Sequence, residues 1–200
     1  MIMDYTTLSK CLCCDSTDLF AALDLNDQPL ANSYKHNKED YEDTYPLVLN
    51  VCKNCYHAQL SIAVNPDLLF KHYLYVSGTS KTLNDYSKIF AKDVVEKYKK
   101  LNSKHPSNIL DIACNDGTQL NYFKELGLTT YGIDPATNLF EISQKNHNVK
   151  CDYYSSNMFD HKFDLILAQN VFAHNSNPYQ FLLDCKNDLA DDGLLFIQTS

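Results

Sequence analysis

Basic residues are in deficit. Lys and Arg number 17 against 25 Asp and Glu, for a formal net charge of −8. Proteins that hold nucleic acid carry a basic footprint, so this balance argues against a nucleic-acid binder while leaving room for a local small-molecule site. Long apolar runs are missing too: none approaches the roughly 20 residues of a membrane-spanning helix. The first residues, "MIMDYTTLSKCLCC", lack the apolar core of a signal peptide. A cytoplasmic protein with no membrane partner is therefore expected. Glycine is scarce where it would be most informative. The stretch "ILDIACNDGTQL" (109–120) runs from an apolar strand into a helix with Gly117 as its single glycine. What is plentiful is cysteine, with 8 residues. In such a compartment these read as metal ligands and buried thiols rather than disulfides.

The 200 residues suit one large domain, or a core domain with a small appendage, and 44% hydrophobic content is enough for a core. Residues 1–65 are turn-rich, with short strand candidates such as "PLVLNVC". The stretch "NPDLLFKHYLYVSG" (65–78) predicts a helix opened by Asn65 with Pro66 at its first position. A second helix is expected over about 80–101, with Leu83, Tyr86, Phe90, Val94 and Tyr98 on one face. Pro106 and its polar neighbours then break the pattern. From 108 onward strands and helices alternate: "NILDIAC", "GTQLNYFKELG", "TTYGID", "TNLFEISQKN", "VKCDYY", "FDLILAQNVF", "NPYQFLLDCKNDLA", "GLLFIQ". That order predicts a doubly wound α/β sheet of parallel strands with right-handed crossovers. The organisation expected is a zinc-binding domain over 1–65, a helical connection over 66–107, and a Rossmann-like domain over 108–200 that stops after its fifth strand, as in the front part of a longer protein.

Two Cys-x-x-Cys pairs stand at Cys11/Cys14 and Cys52/Cys55. Each turn directs two thiolates at one ion, and two turns complete a closed tetrahedral site, which is the pattern of structural zinc. The alternative is two unrelated buried or redox-active pairs. Cys13 competes with its neighbours for a place in the first knuckle, and His57 offers a substitute for one thiolate. Cys114, Cys151 and Cys185 read as small buried residues.

In a doubly wound sheet, ligands sit at the carboxyl ends of the strands near the switch point. The first such end is "DIACNDG"; the second ends in Asp134, placed to take the two hydroxyls of a ribose. A dinucleotide loop needs glycines where pyrophosphate meets the helix N-terminus. This loop offers Asp111, Asn115 and Asp116 instead. Acidic groups repel pyrophosphate and suit a cationic, phosphate-free ligand such as S-adenosylmethionine. The competing reading is an ordinary strand-to-helix turn.

The paired Cys knuckles, "YPLVLNVCKNCYHAQL", "YLYVSGTS", "ILDIACNDGTQL", "YGIDPATNL" and "LAQNVFAH" together resemble the sugar C-methyltransferases that carry an N-terminal zinc-binding domain. The resemblance covers essentially the whole chain. It implies a class I methyltransferase with S-adenosylmethionine and zinc as cofactors and a nucleotide-linked deoxysugar as substrate. It implies that Asp111, Ala113, Asn115 and Gly117 line the methionine and sulfonium end, that Asp134 holds the ribose, and that Pro135 and Ala136 lie beside the adenine. Asn170 and Val171 would close under the donor. His174 would face the sugar, with Tyr73 or Tyr75 reaching the same cleft. Family members continue into a second half with a Tyr/Glu/His cluster, so a separately encoded C-terminal half is an expected partner. Ala113 stands where such loops usually carry glycine, and its backbone is expected to avoid positive φ. Two rivals remain: O- or N-methylation of a sugar, and a donor-binding module without chemistry.

Overall fold

The computed structural model describes residues 4–199. The chain divides into two compact units, one of residues 4–74 with 176–179 and one of residues 75–175 with 180–199.

In the first unit, strands β1 (Tyr5–Thr7), β2 (Leu19–Pro29), β3 (Thr44–Cys52), β4 (Ala58–Leu60) and β5 (Ile62–Val64) form two small antiparallel sheets. One has the order β2-β3-β4, the other pairs β1 with β5. Its core is thin. Among the described residues of this unit only Cys11, Tyr45, Cys52, Gln59 and Ile62 are buried, and two of those five are cysteines. Segments with so little apolar burial need another source of folding energy. The unit ends in helix α1 (Pro66–Phe70), capped by Asn65, whose side chain accepts from the Asp67 N–H, with Pro66 in its first turn. The helix expected over 65–78 thus stops at Phe70.

The second unit begins with a 3-10 turn at Ser77–Thr79 and the long helix α2 (Lys81–Asn102), capped by Ser80. Its buried positions are Ser87, Ala91, Val94, Val95 and Tyr98. The expected face is thus rotated: Tyr86 and Phe90 stack on each other at 5.6 Å near its margin, while the small residues Ser87 and Ala91 turn inward. Then follow β6 (Asn108–Ile112), α3 (Thr118–Glu125), β7 (Thr129–Ile133), α4 (Thr137–Ser143), β8 (Asn148–Lys150), β9 (Phe163–Gln169), α5 (Pro178–Asp188) and β10 (Leu189–Gln198). All pairings are parallel and the strand order is β10-β9-β6-β7-β8. This is the expected doubly wound Rossmann-like sheet, with the order reversing between β6 and β9.

Period-two alternation sends side chains to both faces of the central strands, as a parallel sheet buried on both sides requires. Ile109, Leu165 and Leu167 pack with α2 and α3 residues; Leu110, Ile112, Ile166 and Ala168 pack with Phe181 and Cys185 of α5. The strand expected at "VKCDYY" is only three residues long, and Cys151 lies just past it, exposed rather than buried; Cys114 and Cys185 are buried as expected.

Candidate metal centre and donor site

The four sulfurs of Cys11, Cys14, Cys52 and Cys55 lie within 4.8 Å of one another, with Cys11–Cys55 at 3.6 Å and Cys14–Cys52 at 3.7 Å. A tetrahedral four-thiolate zinc with bonds of about 2.3 Å sets its sulfurs about 3.8 Å apart. The donor set therefore fits zinc and leaves no open position. Both knuckles share one backbone design. The Asp15 N–H reaches the Cys11 carbonyl at 3.0 Å and the Tyr56 N–H reaches the Cys52 carbonyl at 2.9 Å. Asp15 and Tyr56, each following a knuckle, adopt φ of 59° and 61°. Gln59, which sequence reasoning missed, ties the first knuckle to β4: its Oε1 accepts the Leu12 N–H at 2.8 Å and its Nε2 donates to the Lys10 carbonyl at 2.9 Å. The Asn54 amide donates to Cys14 Sγ at 3.5 Å and is the first cause lowering the pKa of that thiol, while that of Cys55 in the same cluster is raised. Cys13 is exposed and outside the cluster, and His57 does not join it.

The second site is built at the carboxyl ends of β6, β7 and β9, which are neighbours in the sheet. Between β6 and α3 the chain turns through Ala113, Asn115 and Gly117 at φ of 60°, 53° and 81°. Alternating left-handed residues make a compact loop, and the expectation that Ala113 avoids positive φ is overturned. Its conformation is imposed from β7: the Ile133 carbonyl accepts both the Ala113 N–H at 2.8 Å and the Cys114 N–H at 3.2 Å. An L-residue in this region is strained by about 1–2 kcal/mol, partly matched by the extra entropy glycine loses on folding. Ala113→Gly is therefore expected to stabilise the protein by about 0.5–1 kcal/mol, read from urea unfolding midpoints. A destabilised Ala113→Gly would contradict the strain.

Every amide of the loop is engaged inside the protein. Besides the two just named, Asn115 N–H donates to Asp134 Oδ2 at 2.8 Å, Asp116 N–H to Asn115 Oδ1 at 2.9 Å, Gly117 N–H to the Cys114 carbonyl at 3.0 Å, and Thr118 N–H to Asp116 Oδ1 at 3.1 Å. No backbone N–H from 113 to 118 points outward as an anion cradle would require.

Asp134 is buried, and its two oxygens accept one backbone N–H each, from Asn115 and from Ala136 at 2.9 Å. A carboxylate offers about four acceptor positions, so about two remain. Burial raises its pKa, opposed by the Ala136 and Asn115 N–H groups. Asp111, fully enclosed at the end of β6, is pushed up to about 8, first by burial and then by the neighbouring Asp134 charge. Pro135 is half-buried and Ala136 buried at the start of α4.

After β9, Asn170 adopts φ of 54° and its N–H reaches the Gln198 carbonyl at 2.8 Å. Val171 packs beneath against the core. His174 closes a 3-10 turn at Phe172–His174 with its side chain exposed. Asp111 thus stands in the last residues of β6, while Asp134 follows β7 and Asn170 and His174 follow β9. Tyr75 is half-exposed, and its carbonyl accepts from Asn115 Nδ2 at 3.0 Å. Tyr73 belongs to the first unit, where its ring lies 6.3 Å from Phe70.

Residues 11–70 match a family model described as a zinc binding domain, and residues 110–197 match one described as a methyltransferase domain. The C-methyltransferase NovU of Streptomyces niveus is 24% identical over 200 residues, covering 96% of this chain and 47% of NovU. A ubiquinone biosynthesis O-methyltransferase of Glaesserella parasuis is 32% identical over 113 residues, covering 50% of this chain and 48% of the relative. The chain thus spans about half the length of the curated relatives it matches. Among solved structures, the plantazolicin methyltransferase BpumL in complex with SAH shares the fold, with a TM-score of 0.53 at 24% identity, covering 57% of this chain and 47% of that one.

Proposed function

We propose that this chain is a class I methyltransferase with an N-terminal zinc-binding domain and passes the methyl group of S-adenosylmethionine to a nucleotide-linked deoxysugar, at a carbon beside a keto group. The observation that carries the choice of donor is the closed set of loop amides from 113 to 118. A pyrophosphate needs free N–H groups there; a ligand with an ammonium, a sulfonium and no phosphate does not. When bound, the donor supplies an electrophilic methyl group.

The chain's own residues then position and desolvate. The remaining acceptor positions of Asp134 suit the two ribose hydroxyls. Pro135 and Ala136 offer apolar surface to the adenine, while Asn170 and Val171 support the donor from the next strand end. Asp111, Ala113, Asn115 and Gly117 border its methionine end, and a cation there favours the ionised form of Asp111. His174 and the Tyr75 hydroxyl are assigned to the sugar, where a hydrogen bond to the keto oxygen stabilises the charge that grows as a general base takes the proton from the adjacent carbon; that carbon then bonds the methyl as the methyl–sulfur bond of the donor breaks. Four thiolates leave zinc no open position, so its role is structural.

Carbon is preferred to oxygen or nitrogen as the acceptor because the similarity to a C-methyltransferase runs through the zinc-binding segment as well, whereas that to the O-methyltransferases covers half the chain. The test is transfer from methyl-labelled donor to a keto-deoxysugar nucleotide, with the label located by carbon NMR. A new carbon–carbon bond supports the proposal. A methyl on oxygen or nitrogen supports the runner-up, and donor binding without transfer indicates a binding module. Asp134→Ala is expected to weaken donor binding by about 1.5–3 kcal/mol, the range for hydrogen bonds to a charged group, and Asp134→Asn by less. Equal binding by parent and both variants would refute the ribose assignment.

A further inference from the structure

The donor loop does more than border a ligand: its polar side chains turn away to grip the backbone of the segment that leads into α2. Asn115 Nδ2 donates to the Tyr75 carbonyl at 3.0 Å, and Asn115 Oδ1 accepts the Ser77 N–H at 2.9 Å. One side chain thus engages a carbonyl and an amide two residues apart, as a neighbouring strand would. Next to it, Asp116 Oδ2 accepts the Gly78 N–H at 2.9 Å. The approach is close: a Cβ at position 78 would lie 2.6 Å from Asp116 Oδ2 and 2.7 Å from Thr118 Oγ1, so those side chains would have to shift. On its other side the segment is held by Asn84, whose Nδ2 donates to the Gly78 carbonyl at 3.0 Å and the Ser80 carbonyl at 2.9 Å. Tyr122 of α3 in turn donates its hydroxyl proton to Asn84 Oδ1 at 3.1 Å.

The same Asn115 gives its backbone N–H to Asp134 Oδ2 at 2.8 Å. A continuous path of hydrogen bonds therefore runs from the carboxylate assigned to the ribose, through one residue, to residues 75–77. We propose that Asn115 is a positioning residue that straps residues 75–78 to the donor loop, so that this segment and Tyr75 form a fixed wall of the donor site. The proposal rests on the methyltransferase reading above. The chemistry explains the residue type. Asn tolerates the left-handed backbone found here, at φ of 53°, and carries both a donor and an acceptor. Glycine would suit the backbone better but offers neither group, and aspartate lacks the donor.

That contrast supplies the test, because Asn115→Gly relaxes the loop while cutting the strap. Hydrogen exchange by NMR is measured on the full chain for the parent, Asn115→Gly and Asn115→Asp, alongside calorimetric titration with S-adenosylhomocysteine. In Asn115→Gly the Ser77 amide is expected to exchange at least about ten-fold faster, with the amides of 109–112 as protected as in the parent. Affinity for S-adenosylhomocysteine should fall at least about ten-fold, the loss for one or two hydrogen bonds' worth of order. Asn115→Asp keeps the acceptor and should retain most of the protection at Ser77. Unchanged exchange at Ser77 in Asn115→Gly would overturn the strap. Faster exchange with parental affinity would overturn its positioning role. A parent that binds no S-adenosylhomocysteine would sink the methyltransferase reading, and the exchange measurement would then decide the strap by itself.

Discussion

Replacing Cys52 by Ser is expected to unfold the first unit and to abolish stoichiometric zinc. Cys52 is wholly buried, and its sulfur lies 3.7 Å from that of Cys14. The unit holds itself together with only five buried residues among those described, so most of its stability has to come from the ion. Structural zinc contributes about 10–16 kcal/mol in small metal-dependent domains, far more than this core can supply. The second unit has its own two-sided core and should keep its secondary structure. Elemental analysis should return one zinc per parent chain purified without chelator. Hydrogen exchange should report lost protection across β2 and β3 in Cys52→Ser, with β6 and β9 unchanged. Zinc-free parent protein with those strands still protected would contradict the assignment.

The second large effect concerns pH. Asp111 is wholly enclosed and its carboxyl is raised from 3.8 to about 8, first by burial and then by the Asp134 charge. Between those values the folded chain holds a proton that the unfolded chain has released. Stability therefore falls as pH rises from about 4 towards about 8, and levels off above. At about 1.4 kcal/mol per pH unit the difference reaches at most about 6 kcal/mol. Asp111→Asn removes the titration and should be the more stable protein at pH 8.5, with the downward slope much reduced. Urea unfolding of both proteins at pH 5, 7 and 8.5 measures this. Parallel pH profiles would show that Asp111 is not the titrating group. A cationic ligand beside Asp111 favours its ionised form, so donor binding near pH 7 should also release protons, visible as buffer-dependent calorimetric heats.

The zinc knuckles were legible because two short spacings bring all four ligands into play, and little else in a chain of this kind produces them. The places of Asp111 and Asp134 at the carboxyl ends of β6 and β7 were legible because periodicity located those ends. The backbone of the loop was not. Ala113 would ordinarily argue against positive φ, yet the Ile133 carbonyl of the next strand takes both the Ala113 and Cys114 amides and fixes the turn. That is a tertiary contact, invisible in local sequence. The roles of Gln59 and of the Asn115 side chain escaped for the same reason: each grips backbone 38 to 49 residues away. The buried face of α2 differs from the expected one by a fraction of a turn because large aromatics at Tyr86 and Phe90 dominate the periodicity, while small Ser87 and Ala91 make the inward packing.

The acidic, amide-closed loop and Asp134 are proposed to select a cationic methyl donor over a phosphate-bearing nucleotide. Calorimetric titration of the full chain with S-adenosylmethionine, S-adenosylhomocysteine and NAD tests it most directly. Saturable one-site binding of the first two and none of the third is expected. Binding of NAD, or no binding of S-adenosylmethionine by a zinc-loaded, folded chain, would contradict it.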